Sequence, residues 1–368
     1  MKMKESITNP IRVLELFAGI GACSKALENL NIPHEIVDAV EIDKYAIAAF
    51  NAIHGTNFEP QDITKWDKDV KVDIIMHGSP CQDFSIAGRQ AGGDEGSGTR
   101  SSLMYETLRI VEKLQPKFVI WENVKNILSR RHVHNWDCYA EYMEELGYTN
   151  YCQILNAKDY GIPQNRERVF TVSIKDYFDP DFNCILAKEF RFPEPIPLEK
   201  KLKDILDENV DEKYYLSYKQ YLGMINTHFN SYKLSTLLKD GDGIASCIKA
   251  RFEGTPQLIP IKTANKQGYD LAKDEDGIDL SYPHSTTRRG RVGHDVAKTL
   301  PTSDVQGVVD YPRIRKFTPR ECYRLMGFDD ESFEKAASVI SNTQLYKTAG
   351  NSIVVPILEG ILKNLIEL

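Results

Sequence analysis

Four side chains stand out as able to do chemistry: a cysteine, a glutamate and two arginines. Cys81 follows Pro80 in GSPCQDFSIAG, just after the apolar run VDIIMHG. An unperturbed thiol ionises at about 8.5, so a modest part of it is nucleophilic thiolate near neutral pH. By itself a loop cysteine is an incidental free thiol, and its neighbours must decide. Glu122, in WENVKN, closes the apolar run FVIW, and a carboxyl group there can share a proton with a ring nitrogen. In GIPQNRERVF, Arg166 and Arg168 stand two apart and share a side if the segment is extended. A guanidinium offers fixed donors suited to a carbonyl oxygen or a phosphate. An ion pair between Glu122 and Arg168 would explain both residues without any ligand.

A second set outlines a small-molecule site. In LELFAGIGACSKAL a strand-like run meets a glycine turn and then a helical pattern. Gly19 and Gly21 let the backbone turn sharply and approach a ligand at a helix N-terminus. The third glycine of a dinucleotide fingerprint is missing, which speaks against a dehydrogenase. Glu41, in VEID, lies about twenty residues further on, where an acid can accept hydrogen bonds from ribose hydroxyls. Asp62, in QDI, is placed by the pattern at a third strand end, facing an adenine amino group. Each acid alone reads as a surface group or a helix cap; with the glycine turn they outline an adenosine site.

These residues need a scaffold that gathers them at one edge. IRVLELF, EIVDAVEID, VDIIMHG and FVIWENV are short apolar runs separated by helical patterns such as KYAIAAFNAIH and MYETLRIVEKLQ, and further strands are read in NYCQILNA and RVFTVSI. Strands alternating with helices predict a doubly wound, Rossmann-like α/β domain with a parallel sheet, whose ligands sit beyond the carboxyl ends of the strands. The alternation is lost from about Asp176 to Pro312, a loop-rich stretch with FPEPIPL, KDGDGIA and DEDGIDL. The expected domains are therefore residues 1–175, a smaller module over 176–312, and helices over 313–368 that return to the first domain.

Composition is that of a globular protein, with 42% hydrophobic and 27% charged residues in a chain of 368. No run reaches the roughly 18 uninterrupted apolar residues of a membrane span, and no secretory signal is read at the N-terminus, so a cytoplasmic protein is expected. Seven scattered cysteines give neither a disulfide framework nor a zinc pattern, and no metal is expected. The net charge of −7 speaks against a nucleic-acid partner. Local basic clusters speak for one: Arg288, Arg289 and Arg291 in RRGR, and Arg313, Arg315, Lys316, Arg320 and Arg324 further on.

Taken in order, LELFAGIGACSKAL, VEID, QDI, GSPCQDFS, RSSLMYETLRIVEKLQP, WENV, QNRERVF, RKFTPRECYRLMGF and GNSIVVPIL resemble the motifs of the bacterial cytosine-5 DNA methyltransferases. The resemblance covers residues 11–174 and 313–368. It implies S-adenosylmethionine as methyl donor. Phe17, Ala18, Gly19 and Gly21 would face its methionine part, Glu41 its ribose, and Ile42, Asp62 and Ile63 its adenine, with Pro80, Leu103, Asn351 and Ser352 completing the pocket. It makes Cys81 the nucleophile that attacks C6 of a cytosine flipped out of the duplex, with Glu122 at N3 and the amino group and Arg168 at O2; Arg166 belongs to the same motif.

Double-stranded DNA is the implied partner. Gln82 and Ser85 fall in a loop that closes over it, and Arg288, Arg289, Arg291, Arg315 and Arg320 are candidate phosphate contacts. Residues 176–312 occupy the place of the target-recognition region, and nothing in them transfers a recognised sequence. A monomer is expected, with a cognate restriction endonuclease as a possible neighbour. The rivals are a tRNA cytosine-5 methyltransferase of the same fold, disfavoured by the long middle region, and a noncatalytic DNA-binding relative, disfavoured by the intact Cys81, Glu122 and Arg168. Two departures are RSS before Leu103, where relatives often have RG, and Asp83 after PCQ.

Overall fold

Each apolar run ending in a turn becomes a strand, and each run of helical period becomes the helix after it. In a computed structural model, residues 9–80, 100–179, 184–186, 189–217, 220, 259–283, 285, 287–310 and 313–367 are described. The first part of the chain forms β1 (Ile11–Leu16), α1 (Ala22–Asn29), β2 (His34–Val40), α2 (Lys44–His54), β3 (Ile74–His77), α3 (Met104–Leu114), β4 (Phe118–Val124), α4 (Val133–Glu145), β5 (Tyr148–Asn156), β6 (Gln164–Asn165) and β7 (Glu167–Lys175).

The main sheet has six strands in the order β2-β1-β3-β4-β7-β5. β1, β2, β3 and β4 run parallel, as the sequence pattern predicts. β7 does not: it is antiparallel to both β4 and β5. The cause is the connection after β5, which holds only a short helical turn at Ala157–Tyr160 and the two residues of β6. Without a full crossover helix, the chain can only return antiparallel.

Val13, Ile74 and Ile120 pack on one sheet face with α1, α2 and the last helix of the chain, while Leu14, Ile75 and Val119 pack on the other with α3 and α4. This alternation leaves β1 and β3 as neighbours whose chains depart to opposite sides, the switch point at which an open α/β sheet leaves a crevice.

The middle of the chain contains the hairpin β8 (Tyr177–Asp179) and β9 (Cys184–Leu186), the antiparallel pair β10 (Ile259–Lys262) and β11 (Tyr269–Ala272), and a small sheet. Its strands are β12 (Gly277–Asp279), β13 (Val292–Gly293), β15 (Gln306–Asp310) and β16 (Arg313–Lys316), in the order β13-β12-β15-β16. A separate small core of Ile259, Ile261, Ile278, Val309 and Ile314 supports it. β14 (Ala297–Lys298) instead pairs parallel with β6 of the first domain. The helices α5 (Pro319–Arg324), α6 (Asp330–Ala337), α7 (Asn342–Asn351) and α8 (Val355–Ile366) follow.

Two expected boundaries shift. Arg313–Lys316 was assigned to the returning helices, but it is a strand of the small sheet, so the return begins at the capping box of Thr318 and Glu321 that starts α5. At the other boundary, Phe190, Leu202 and Ile205 are buried in the core of the first domain rather than in the module. The stretch Asn342–Ile366 is long and apolar enough to match a membrane span. It is divided into α7 and α8, and Leu358, Ile361, Leu362 and Leu365 are core residues packed with α1.

Candidate active site

The strand-to-helix turn after β1 carries one wall of the site. Phe17 and Gly19 have φ of 53° and 56°, and Gly21 has 78°. For Phe17 this left-handed backbone is strained, and the surrounding bonds fix it. Ala18 donates its N–H to the Val40 carbonyl at 3.2 Å, and Gly21 donates to the Ala18 carbonyl at 3.0 Å.

The two glycines do different work. A Cβ at Gly19 would meet nothing, which leaves the backbone open to a ligand, whereas one at Gly21 would come within 2.2 Å of His54 Nε2. Gly21 is therefore required by packing against α2. Desolvation of the half-buried His54 ring lowers its pKa to about 4, so the neutral ring donates to the Ile20 carbonyl at 3.1 Å.

Glu41, at the end of β2, closes this wall. Its Oε2 accepts from Gly19 N–H at 3.0 Å and its Oε1 from Asp43 N–H at 2.8 Å. Burial raises its pKa against the effect of those bonds. Both oxygens keep lone pairs for further donors such as ribose hydroxyls. Beside it, Ile42 is 71% exposed, a large apolar surface that a flat ring can cover. Replacing Glu41 by Ala is expected to weaken binding of S-adenosylhomocysteine about tenfold, the worth of one charge-assisted hydrogen bond. DNA affinity should stay within twofold. Calorimetric titration with each ligand separately checks this, and equal loss for both would remove the ribose role.

Asp62 was placed at a strand end. It is instead the N-cap of the helical turn Ile63–Lys65, accepting from Thr64 N–H at 3.0 Å and Thr64 O–H at 2.8 Å. It still stands next to Glu41, because Gln61 N–H donates to the Glu41 carbonyl at 2.8 Å. The side chain of Ile63 is core, packed beneath Trp66, and Leu103 caps α3 against the same core. Leu103 is only partly buried there.

The crevice is lined by Phe17, Gly19, Gly78, Glu122, Asn351 and Ser352 among others. Its lining includes a residue the sequence reading passed over. Glu15, inside β1, is 3% exposed and accepts from the N–H and the hydroxyl of Ser24 in the first turn of α1. Burial raises its pKa to about 7 despite those bonds. The signal was visible as an acid between two leucines just before the turn. A second unpredicted link is Lys347 of α7, which pairs with Asp43 at 2.6 Å and ties the C-terminal wall to the ribose side.

On the opposite side of the crevice, Arg168 Nε lies 3.0 Å from Glu122 Oε1, and the two side chains are 16% and 12% exposed. The loop after β3 approaches from beside them. Ser79 Oγ accepts from Trp121 Nε1 at 2.9 Å, and the Ser79 carbonyl lies 3.4 Å from Asn123 Nδ2. Trp121 and Asn123 flank Glu122 on the other face of β4, so the strand that presents the carboxylate also anchors the chain leading to Pro80. Cys81, Gln82 and Ser85 lie outside the described residues.

Arg166 does not join Arg168. It falls between β6 and β7, where the extended geometry breaks. Its side chain is 2% exposed and donates to the carbonyls of Leu300, Gly350 and Ser352 at 3.2, 3.2 and 2.9 Å. The expectation that it faces the substrate is corrected.

Among the arginines assigned to DNA, Arg291 is 1% exposed and holds the carbonyls of Asp279, Ser281 and Tyr282. Arg315 is 2% exposed and bidentate to Glu321 at 2.9 and 2.8 Å. Both are structural, because a guanidinium buried and bonded inside the protein is out of reach of a phosphate. Arg320 is paired with Asp330 and Glu334, and Arg288 with Asp279, on partly exposed surfaces. Arg289 is exposed beside them.

Comparison with known proteins shows the family. The family described as C-5 cytosine-specific DNA methylase matches residues 11–367. The orphan methyltransferase M.SPRI of Bacillus phage SPR is 33% identical, with 97% of each chain covered. The type II methyltransferase M2.ScrFI of Lactococcus lactis subsp. cremoris is 34% identical over 96% of this chain and 99% of its own. The type II methyltransferase M.HhaI of Haemophilus parahaemolyticus is 30% identical over 99% and 97%. A solved structure of a Spodoptera frugiperda DNMT2 mutant has the same fold, with a TM-score of 0.61 over 97% of this chain and 99% of that one at 19% identity. With most of its length matched by the family and by relatives above 30% identity, the chain belongs to the C-5 cytosine-specific DNA methylases.

Proposed function

We propose that the protein methylates C5 of a cytosine flipped out of duplex DNA, with Cys81 as the nucleophile. The observation that carries this reading is that Glu122 lines the same crevice as the Phe17–Gly19 turn. A base held by Glu122 and Arg168 would thus lie next to a ligand held at that turn.

The crevice suits S-adenosylmethionine. Gly19 leaves open backbone, Glu41 is fixed with lone pairs to spare, Ile42 is exposed beside it, and Glu15 puts a carboxyl group on the wall toward a cationic ligand. When bound, S-adenosylmethionine supplies an electrophilic methyl group. Phe17, Ala18, Gly19, Asn351 and Ser352 would hold its amino-acid part, and Glu41, Ile42 and Asp62 its nucleoside.

The protein's own groups act on the base. Cytosine C5 is a weak nucleophile until Cys81 thiolate adds to C6, which makes C5 enamine-like. Glu122 shares a proton with N3, so that charge developing on the ring is neutralised as the thiolate adds. Arg168 donates to O2 and fixes the ring plane. Once C5 has taken the methyl group, loss of the C5 proton to a base expels Cys81 and restores the aromatic ring. Extruding the base costs a few kcal/mol of stacking, which contacts to the DNA backbone must offset. Arg288 and Arg289 in the middle module are the exposed candidates for that contact, and this module, with its small sheet extending through Arg313–Lys316, is the proposed target-recognition domain. A cytoplasmic location, in contact with bacterial or phage DNA, fits that substrate.

Bisulfite sequencing of both DNA and tRNA from cells expressing the protein tests the assignment. Protected cytosines in one recurrent DNA sequence are expected. Protection confined to tRNA would transfer the same chemistry to a different substrate, and protection in neither would refute the activity.

A further inference from the structure

Two buried side chains outside the reacting groups join three distant stretches of the chain. Gln164, fully buried, donates to the Leu325 carbonyl at 2.7 Å and accepts from Leu300 N–H at 3.1 Å. Arg166 takes the Leu300 carbonyl on one nitrogen and the Gly350 and Ser352 carbonyls on the other. Around them, β6 pairs with β14, and Thr299 donates to the Asn165 carbonyl at 2.9 Å. The Leu300–Pro301 segment is pressed against the end of α7 so closely that a Cβ on Gly350 would come within 2.1 Å of the Pro301 carbonyl oxygen.

The partners of this clamp decide what it does. Leu300 lies between β14 and β15, on the chain that enters the small sheet of the middle module. Asn351 and Ser352 line the crevice. One guanidinium therefore grips the entry to the module and the wall of the crevice together. Its donors are coplanar and fixed in angle, so neither side can move without breaking a bond that is buried away from water.

We infer that Arg166 is a positioning residue that sets the Asn351–Ser352 wall and couples cofactor affinity to DNA affinity. The inference rests on the crevice being the S-adenosylmethionine site. Thermodynamic linkage requires such coupling to be reciprocal, so DNA should tighten cofactor binding by the factor with which cofactor tightens DNA.

The test uses the full-length protein, S-adenosylhomocysteine, and a duplex bearing the methylated site found by bisulfite sequencing. Arg166→Lys keeps the charge but loses the fork. It should raise KM for S-adenosylmethionine roughly tenfold, while kcat at saturating cofactor changes less than about threefold. The tightening of S-adenosylhomocysteine by DNA, present in the wild type, should fall to near unity. Gly350→Ala, which forces Leu300–Pro301 away without removing a polar group, should reproduce the KM rise if Arg166→Lys does not fold. A brace with no positioning role would lower the folded fraction, and with it kcat, at unchanged KM; that result overturns the inference, as does a wild type whose two affinities are independent. Asn351→Ala separates the two readings. If it raises KM and neither Arg166→Lys nor Gly350→Ala does, positioning by Arg166 fails; if none of the three does, the crevice is not the cofactor site.

Discussion

Cys81→Ser is expected to abolish methyl transfer, by roughly 10³-fold or more, while leaving cofactor binding within twofold. The change is a single atom, and its effect comes from acidity. Cysteine is partly thiolate near neutral pH, whereas a serine hydroxyl needs a strong neighbouring base to attack at all. Among the described residues lining the crevice, the carboxyl groups are Glu15, which is engaged by Ser24, and Glu122, which is paired with Arg168. Neither is free to deprotonate a hydroxyl. Transfer of a labelled methyl group to DNA gives the rate, and calorimetry with S-adenosylhomocysteine gives the binding. A second readout isolates the covalent step. DNA carrying 5-fluorocytosine at the target should trap the wild type, because fluorine at C5 cannot leave as the proton does, and should not trap the serine variant. Wild-type turnover by Cys81→Ser would sink the mechanism.

How far the sequence revealed this site depended on what each residue does. The strands and the glycine turn were legible because burial imposes periodicity, and the turn residues need backbone that few side chains tolerate. Glu122 and Arg168 were legible as candidates because a charged residue at the end of an apolar run must have a partner or a purpose. The choice between partner and purpose was not legible; the structure shows the partner, an ion pair at the crevice.

The antiparallel β7 was missed because a strand's direction is set by its connection, not by its own residues. The arginines failed for another reason. Sequence gives the charge but not its exposure, so Arg166, Arg291 and Arg315 read as donors in search of a ligand. Each is spent on carbonyls or on Glu321 within the fold. Removing one partner of the buried Arg315–Glu321 pair should therefore cost about 3–5 kcal/mol of stability, a fold defect rather than a DNA-binding defect.

Glu122→Gln distinguishes catalysis from structure at the one position where both readings remain strong. Glutamine has nearly the same shape, and its carbonyl oxygen can still accept from Arg168, but it cannot share a proton with a ring nitrogen. If Glu122 only pairs with Arg168, the variant loses part of an ion pair between side chains still open to solvent. That predicts a fall of a few degrees in Tm and normal turnover. If Glu122 supplies the proton at N3, kcat should fall by about 10²–10³-fold with Tm scarcely changed. Formation of the 5-fluorocytosine adduct should slow by a similar factor, because the missing proton is needed as the thiolate adds, before any methyl group moves. A normal adduct rate with slow methyl transfer would place Glu122 after C6 attack and require another proton source for that attack. Arg168 separates the contributions further. Arg168→Lys should raise KM for DNA and slow the adduct less than Glu122→Gln does, because a lysine can still reach O2 with one donor but cannot fix the plane of the ring.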